Sequence, residues 1–357
     1  MIRGAILLLL SACLLPSSWA QYEEDDQTAD YANRDRQYQQ RRAEKKPAPI
    51  NPDSGRVETA SEAFLAKAES LVKDKNYRAA SSERYRVQSD DPRVDAKAAV
   101  ALLDAFGQFF DQYWEQQLHL DPYDKQSRVF LFFSFYKYNQ LLGTDFRFSQ
   151  FRPQGHYGAH YDAICLHSDT LGPRGTAADA LVHEATHQLI AQRLMAGRRI
   201  PALWLSEGLA SYFGFTYMGK DGFIAGELGG KATSLFRGGP ARPGDEAAVR
   251  LKTLRRRLKK LDGECEAPFL DTLVRLEDPA IFYGSDPETH YAASWLLTHL
   301  LLDGAEGRFR APFISFLNAG RESIDALDAE TLYKSLGVSA AELQQAFQAH
   351  VKKVKSR

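Results

Sequence analysis

The chain of 357 residues is 44% hydrophobic and 25% charged, with 45 Lys and Arg against 46 Asp and Glu. Those fractions exclude a wholly disordered, collagen-like or coiled-coil chain, and a formal net charge of −1 with an isoelectric point near 6.8 leaves no basic footprint for nucleic acid. Three cysteines are too few for a disulfide scaffold, and at roughly 100–200 residues per domain the length suits one large domain or two modest ones.

Arg3, the apolar run Ala5–Leu15 and the small-x-small triplet Ser18-Trp19-Ala20 have the layout of a secretory signal peptide over residues 1–20. The run is too short to span a bilayer, and no later stretch reaches about 18 uninterrupted apolar residues. The sequence therefore predicts an exported protein, periplasmic or secreted. Leu10-Ser11-Ala12-Cys13 also resembles a bacterial lipobox, so anchoring through an acylated Cys13 is the minority alternative. Export permits a disulfide between Cys165 and Cys265, and two buried free thiols are the equal alternative. Residues 21–57 are polar and charge-mixed, with Glu23-Glu24-Asp25-Asp26, Pro47, Pro49 and Pro52 and almost no large aliphatics. Such a segment cannot bury enough surface to offset its ordering entropy and reads as a disordered linker.

A first globular half spans residues 58–218. An amphipathic helix is expected over Ala60–Lys73, an alternating strand over Ser82–Ser89, and a helix over Arg93–Gln117 with Val94, Ala98, Leu102, Phe106 and Phe109 at helical spacing. An apolar strand follows at Arg128–Ser134, then an aromatic turn at Gly155–Tyr161 and a strand at Asp162–His167. A helix over Ala177–Met195 starts at Thr176, with Asp179 three residues on as an approximate capping box, and Gly197 ends it. The second half, residues 219–357, opens with an irregular segment, Gly219–Gly244, that holds eight glycines and two prolines. Helices are then expected at Asp245–Leu261, Ala267–Arg275, Pro287–Leu302, Arg308–Leu317 and Ala340–Val354. The fold class is α+β: a small mixed sheet with covering helices, then a helical C-terminal half.

Inside the Ala177–Met195 helix lies His183-Glu184-Ala185-Thr186-His187. Two histidines four apart share one helical face, so both imidazoles can converge on one ion. Glu184, one position along, sits beside the open coordination position and not in it. Zinc held by three protein ligands keeps a water in the fourth position and lowers its pKa to about 7, and an adjacent carboxylate can take that water's proton during attack on a carbonyl. In Trp204-Leu205-Ser206-Glu207-Gly208-Leu209-Ala210, Glu207 follows His187 by twenty positions, which leaves room for a turn at Gly197–Pro201 and a returning helix. Glu207 then supplies the oxygen ligand of a His₂Glu set, the donor set of catalytic zinc.

These motifs resemble those of the gluzincin metallopeptidases, which share H-E-x-x-H…E. The interval is similar to thermolysin-like enzymes, the W-x-x-E-G-x-A wording to the aminopeptidase-like branch. The chain most resembles the bacterial peptidase-MA-like domains of unknown function, which also carry Tyr-x-x-Ser-Trp, here Tyr291-Ala292-Ala293-Ser294-Trp295. The resemblance is loose over Ser82–Val351 and good over His156–His299. It implies a zincin fold, one zinc ion and peptide-bond hydrolysis, with His183, His187 and Glu207 as ligands and Glu184 as general base. It also implies that Tyr291 matches the tyrosine that hydrogen-bonds the oxyanion in aminopeptidase-like relatives; His290 is a weaker alternative donor. Two departures stand out. Ser211 occupies the place of a thermolysin-like aspartate, and the Gly-x-Met-x-Asn reader of a substrate amino terminus is absent, which favours an endopeptidase. Asp162–His167 precedes the zinc helix as the zincin edge strand would, to pair with an extended peptide or protein substrate.

Arg250–Leu261 is a basic amphipathic helix whose cations are expected to be solvated, with peripheral contact to an anionic membrane or acidic substrate as the functional alternative. His119, His156, His160, His167, His299 and His350 read as structural. Gly230-Lys231-Ala232 lacks the Ser/Thr of a phosphate loop, and no Gly-x-Ser-x-Gly elbow is present. The reading is an exported zinc metallopeptidase; the rival is a zincin-fold binding or scaffold protein of the cell envelope that has lost turnover.

Overall fold

Val129-Phe130-Leu131-Phe132 and Ala163-Ile164-Cys165-Leu166 carry apolar side chains on both faces, as a strand covered by helices on each side must. In the computed structural model of the chain these two runs form the middle of a five-stranded sheet. The structure describes residues 54–123, 125–142, 155–168, 177–198, 200–215, 217–219, 222–225, 245–261, 269–284 and 286–354. The expected signal peptide, Cys13, nearly all of the expected linker, Thr176, Cys265 and most of the Gly219–Gly244 segment lie outside the described residues.

Helix α1 (Ser54–Val72) precedes the hairpin of β1 (Arg78–Ser81) and β2 (Tyr85–Ser89). Then come α2 (Ala96–Trp114), β3 (Ser127–Phe132), α3 (Phe135–Leu142), β4 (Gly155–Gly158) and β5 (Ala163–His167). The sheet order is β1-β2-β3-β5-β4, with β2, β3 and β5 parallel and the two edges antiparallel to their neighbours. Val87, Val129, Leu131, Ile164 and Leu166 join the large core with α2, while Phe130, Phe132, Ala163 and Cys165 pack with Ala68, Val72, Tyr138 and Leu141 from α1 and α3. Period-two alternation thus feeds a separate apolar layer on each face.

The helix that carries His183 and His187, α4 (Ala177–Leu189), continues as a π-helix over Ile190–Leu194 and is followed by α5 (Leu203–Gly214) and a hairpin of β6 (Tyr217–Gly219) and β7 (Gly222–Ile224). Helices α6 (Asp245–Leu261), α7 (Phe269–Val274), α8 (Pro279–Gly284), α9 (Pro287–Asp303), α10 (Arg310–Glu322), α11 (Ala329–Leu336) and α12 (Ala340–Lys353) complete the described chain. Gly55–Arg357 forms one compact unit of mixed α and β structure, with a small sheet and mostly helical content. Among the described residues no helix is long and apolar enough to cross a membrane.

Three expectations are corrected. Ser82–Ser89 is not one strand, because the Ser82 hydroxyl accepts the amide N–H groups of Arg84 and Tyr85 and turns the chain into a hairpin. Gly155–Tyr161 is not simply a turn: Gly155–Gly158 pairs with β5 before the chain reverses through Asp162 at φ 46°. As a result Asp162–His167 is an interior strand, and β4 is the edge on that side. A four-residue Gly-His-Tyr-Gly strand has too little alternation to be read from sequence. Helices α8 and α11, six and eight residues long, were likewise not expected. Within the Gly-rich segment, β6 and β7 supply order before Gly226.

Helix α5 is buried along its whole length, the condition of a helix that is apolar on every side. Its Phe213 ring lies 5.2 Å from those of Phe110 and Tyr113, 6.0 Å from Trp114 and 6.3 Å from Phe106, all on α2. Phe213→Ala is expected to lower the unfolding free energy by roughly 3–5 kcal/mol, measured by urea denaturation; a loss under about 1 kcal/mol would show that α5 is not pinned to α2 in this way.

Candidate metal centre

His183 and His187 sit one turn apart on α4, their ring centroids 4.9 Å apart and their planes at 83°. After Leu189 the helix takes on one extra residue per turn: Met195 N–H donates to Ile190 O at 3.0 Å. Gly197, at φ +78°, closes the end by donating to Ala191 O at 2.8 Å, a reversal that a residue with a β-carbon would resist. The chain then returns as α5. Ser206 Oγ comes to 3.2 Å from His187 Nδ1, on the ring edge opposite Nε2, and Glu207 points between the two imidazoles.

Glu207 Oε2 lies 3.3 Å from His183 Nε2 and 3.5 Å from His187 Nε2. All three candidate ligand atoms fall within 4.8 Å of one another. A tetrahedral ion bonded at 2.0–2.1 Å separates its ligands by about 3.3–3.4 Å, so the two carboxylate–imidazole distances match edges of that figure. Oε2 is buried and no hydrogen bond among the described residues reaches it, an orphaned acceptor whose desolvation an ion would offset. The other oxygen, Oε1, accepts the Tyr283 hydroxyl at 2.6 Å. Burial alone would raise the Glu207 carboxyl, but His187 and His183 outweigh it and hold the group well below the usual carboxylate range. Two imidazole nitrogens and one ionised oxygen, with the histidines partly exposed, form a donor set that fits zinc.

Glu184 lies beside that triangle, interacting with both histidines and Glu207 and with edge strand β4. It is 9% exposed and takes a hydrogen bond from the backbone of Tyr157 on edge strand β4. Burial, reinforced by Glu207 and opposed by both histidines, raises its carboxyl above the usual range, a shift that suits proton transfer. Tyr291, on the first turns of α9, places its ring centroid 6.4 Å from that of His183, 6.1 Å from Tyr283 and 5.8 Å from Phe282. Its phenol is raised well above its ordinary value by burial and then by Glu207. His290, the alternative donor, is engaged elsewhere, with Nδ1 2.8 Å from Phe282 O. His156 lies between the Tyr138 and Tyr161 hydroxyls, and His299 pairs with His350 at 2.9 Å; neither joins the cluster.

The structure therefore brings His183, His187 and Glu207 together, with Glu184 and Tyr291 alongside. Neither the protein-family models nor the curated proteins give a match to this chain. Two residues at the site were not foreseen. Ser206 orients His187; it adjoins Glu207 in sequence, and its partner became visible only once α5 folded back on α4. Tyr283 holds Glu207 from a six-residue helix with no pattern to announce it. Ser211, which stands in the place of a thermolysin-like aspartate, receives Arg250 Nη1 on its hydroxyl at 3.3 Å.

Close approach of α9 to α5 is what seats Glu207. A β-carbon on Gly208 would lie 2.3 Å from Thr298 Oγ1 and 2.6 Å from Ser294 O. Gly208→Ala is expected to push the helices apart, lowering stability by roughly 1–3 kcal/mol in thermal unfolding and weakening metal binding with it. Tyr283→Phe, by contrast, should leave the fold intact and lower zinc affinity about 10–100-fold in a chelator competition; unchanged affinity would mean that Glu207 needs no outer support.

Proposed function

We propose that the protein is an exported zinc metallopeptidase of the gluzincin type, acting as an endopeptidase, with a zincin-like fold. The observation that carries this reading is the meeting of Glu207 Oε2 with the two imidazole Nε2 atoms at 3.3 and 3.5 Å, with a buried carboxyl next to it in sequence. A structural zinc site would use four protein ligands; among the described residues three converge here, and a fourth position left to the reaction is the mark of a catalytic site.

His183, His187 and Glu207 would hold one zinc ion, which when bound supplies Lewis acidity toward a carbonyl and acidifies a water. The remaining work falls to the chain's own side chains. Glu184, raised by burial, receives the proton of the attacking water and returns it to the departing amine. Tyr291 donates its phenol to the oxygen that gains charge as the carbonyl is attacked. Tyr283 and Ser206 keep Glu207 and His187 aimed.

The expected edge-strand role passes from Asp162–His167 to β4. Because Tyr157 of β4 already donates its backbone to Glu184, that edge runs past the site, where an extended peptide could add as a further strand. Export is supported by the signal-peptide layout of residues 1–20.

Elemental analysis of purified protein should find about one zinc per chain, and His183→Ala should reduce it towards zero. Glu184→Gln should retain zinc and lower hydrolysis of a peptide library on the order of 10²–10⁴-fold, with a chelator abolishing the wild-type activity. Zinc present but no peptide cleaved by the wild type would instead identify a binding or scaffold protein on this fold.

A further inference from the structure

Helix α6 reads in sequence as an amphipathic helix with a solvated cationic face. Leu251, Leu254 and Leu258 are indeed buried, but three of its arginines turn to the protein itself. Arg255 donates to Val351 O at 2.9 Å and also reaches Val354 O near the end of α12. Arg257 pairs at 3.7 Å with Asp286, whose side chain caps the start of α9. Arg250 is the one that reaches the metal centre. Its guanidinium carbon lies 5.1 Å from the centroid of the Tyr291 ring and 4.9 Å from that of Phe215, and Nη1 donates to Ser211 Oγ at 3.3 Å. One planar cation thus touches α5 one turn beyond Glu207 and the aromatic face of the residue placed to serve the oxyanion.

We propose that Arg250 is a positioning residue for Tyr291, its guanidinium lying against the phenol ring so that the ring is fixed in place and its hydroxyl made a stronger donor. The inference rests on the peptidase reading of the site. Among the described residues the other rings packed on it are Phe282, Tyr283 and the candidate ligand His183. A cation over the ring face draws electron density from the phenol oxygen and strengthens it as a hydrogen-bond donor. Simple anchoring of α9 is a weaker explanation, because Arg257 already secures the start of that helix through Asp286, while Arg250 meets the ring itself. Arginine is also suited in a way lysine is not: a flat guanidinium can stack on two rings and still donate in its plane to Ser211, whereas an ammonium is a hydrated point charge.

The test uses the full chain with ring-¹³C-labelled tyrosine, metal-free and zinc-loaded, the Tyr291 signal being assigned by its loss in Tyr291→Phe. Arg250→Gln is expected to shift and broaden that signal in both states with zinc content unchanged, and Arg250→Lys to restore it in part. In peptide hydrolysis Arg250→Gln should lower kcat by about tenfold or more with KM within about twofold, a fraction of what losing a whole oxyanion donor costs. The double variant Arg250→Gln/Tyr291→Phe should be no slower than Tyr291→Phe alone. A Tyr291 signal unmoved by Arg250→Gln, a loss confined to KM, or rate losses that multiply in the double variant would each overturn the proposal. If Arg250→Gln fails to fold, Arg250→Met, which keeps an apolar stem without the charge, carries the same comparison under the same criteria. Should the wild type cleave no peptide, the peptidase reading fails by itself, and the tyrosine signal alone decides whether Arg250 positions Tyr291.

Discussion

A carboxylate taken out of water has to find partners, and Glu207 is the group around which this molecule is organised. One of its oxygens accepts a phenol; the other faces two imidazole nitrogens and accepts no hydrogen bond among the described residues. Leaving a charged oxygen so placed would cost several kcal/mol if nothing compensated it. The surrounding helices are arranged to keep it there nonetheless. Helix α5 is buried on all sides, wedged against α4 on one flank and α9 on another, and pinned to the aromatic side of α2 by Phe213. The apolar surroundings both strengthen the pull of the imidazoles and keep water from replacing it.

Around that carboxylate, polar groups are spent sparingly and with consistent geometry. Four of the five inner residues have an outer partner beside them, each from a different element: Ser206 for His187, Tyr283 for Glu207, the β4 backbone for Glu184, and Arg250 for Tyr291. Drawing supports from a strand, two short or neighbouring helices and the distant helix α6 makes the site a product of the whole fold and not of the motif helix alone. Such distribution is what holding several side chains to within fractions of an ångström requires.

How much of this could be read from residues alone follows a physical pattern. The pair His183 and His187 was legible because helical periodicity is local, and Glu207 because its distance along the chain suits a turn and a returning helix. The two central strands were legible because a run apolar on both faces has few other uses. Partners fixed by tertiary packing were not. Tyr283 stands 76 positions from Glu207, Arg250 lies 41 positions from Tyr291 on a helix whose composition suggests solvent, and β4 owes its existence to pairing with β5. The mistaken edge assignment of Asp162–His167 has the same root, since which strand ends a sheet is decided by neighbours that no single segment encodes.

The π-helical stretch Ile190–Leu194 has a consequence for tolerance to change in chain length. It accommodates one residue more than a regular helix would between His187 and the reversal at Gly197. Removing a single residue there would let the segment rewind to ordinary α-helical pitch with the chain beyond it kept in phase, because the extra residue is taken up in one widened turn. Glu207 would then still be delivered between the histidines, so this short span is where the chain between the two halves of the centre can lose one residue with least disturbance.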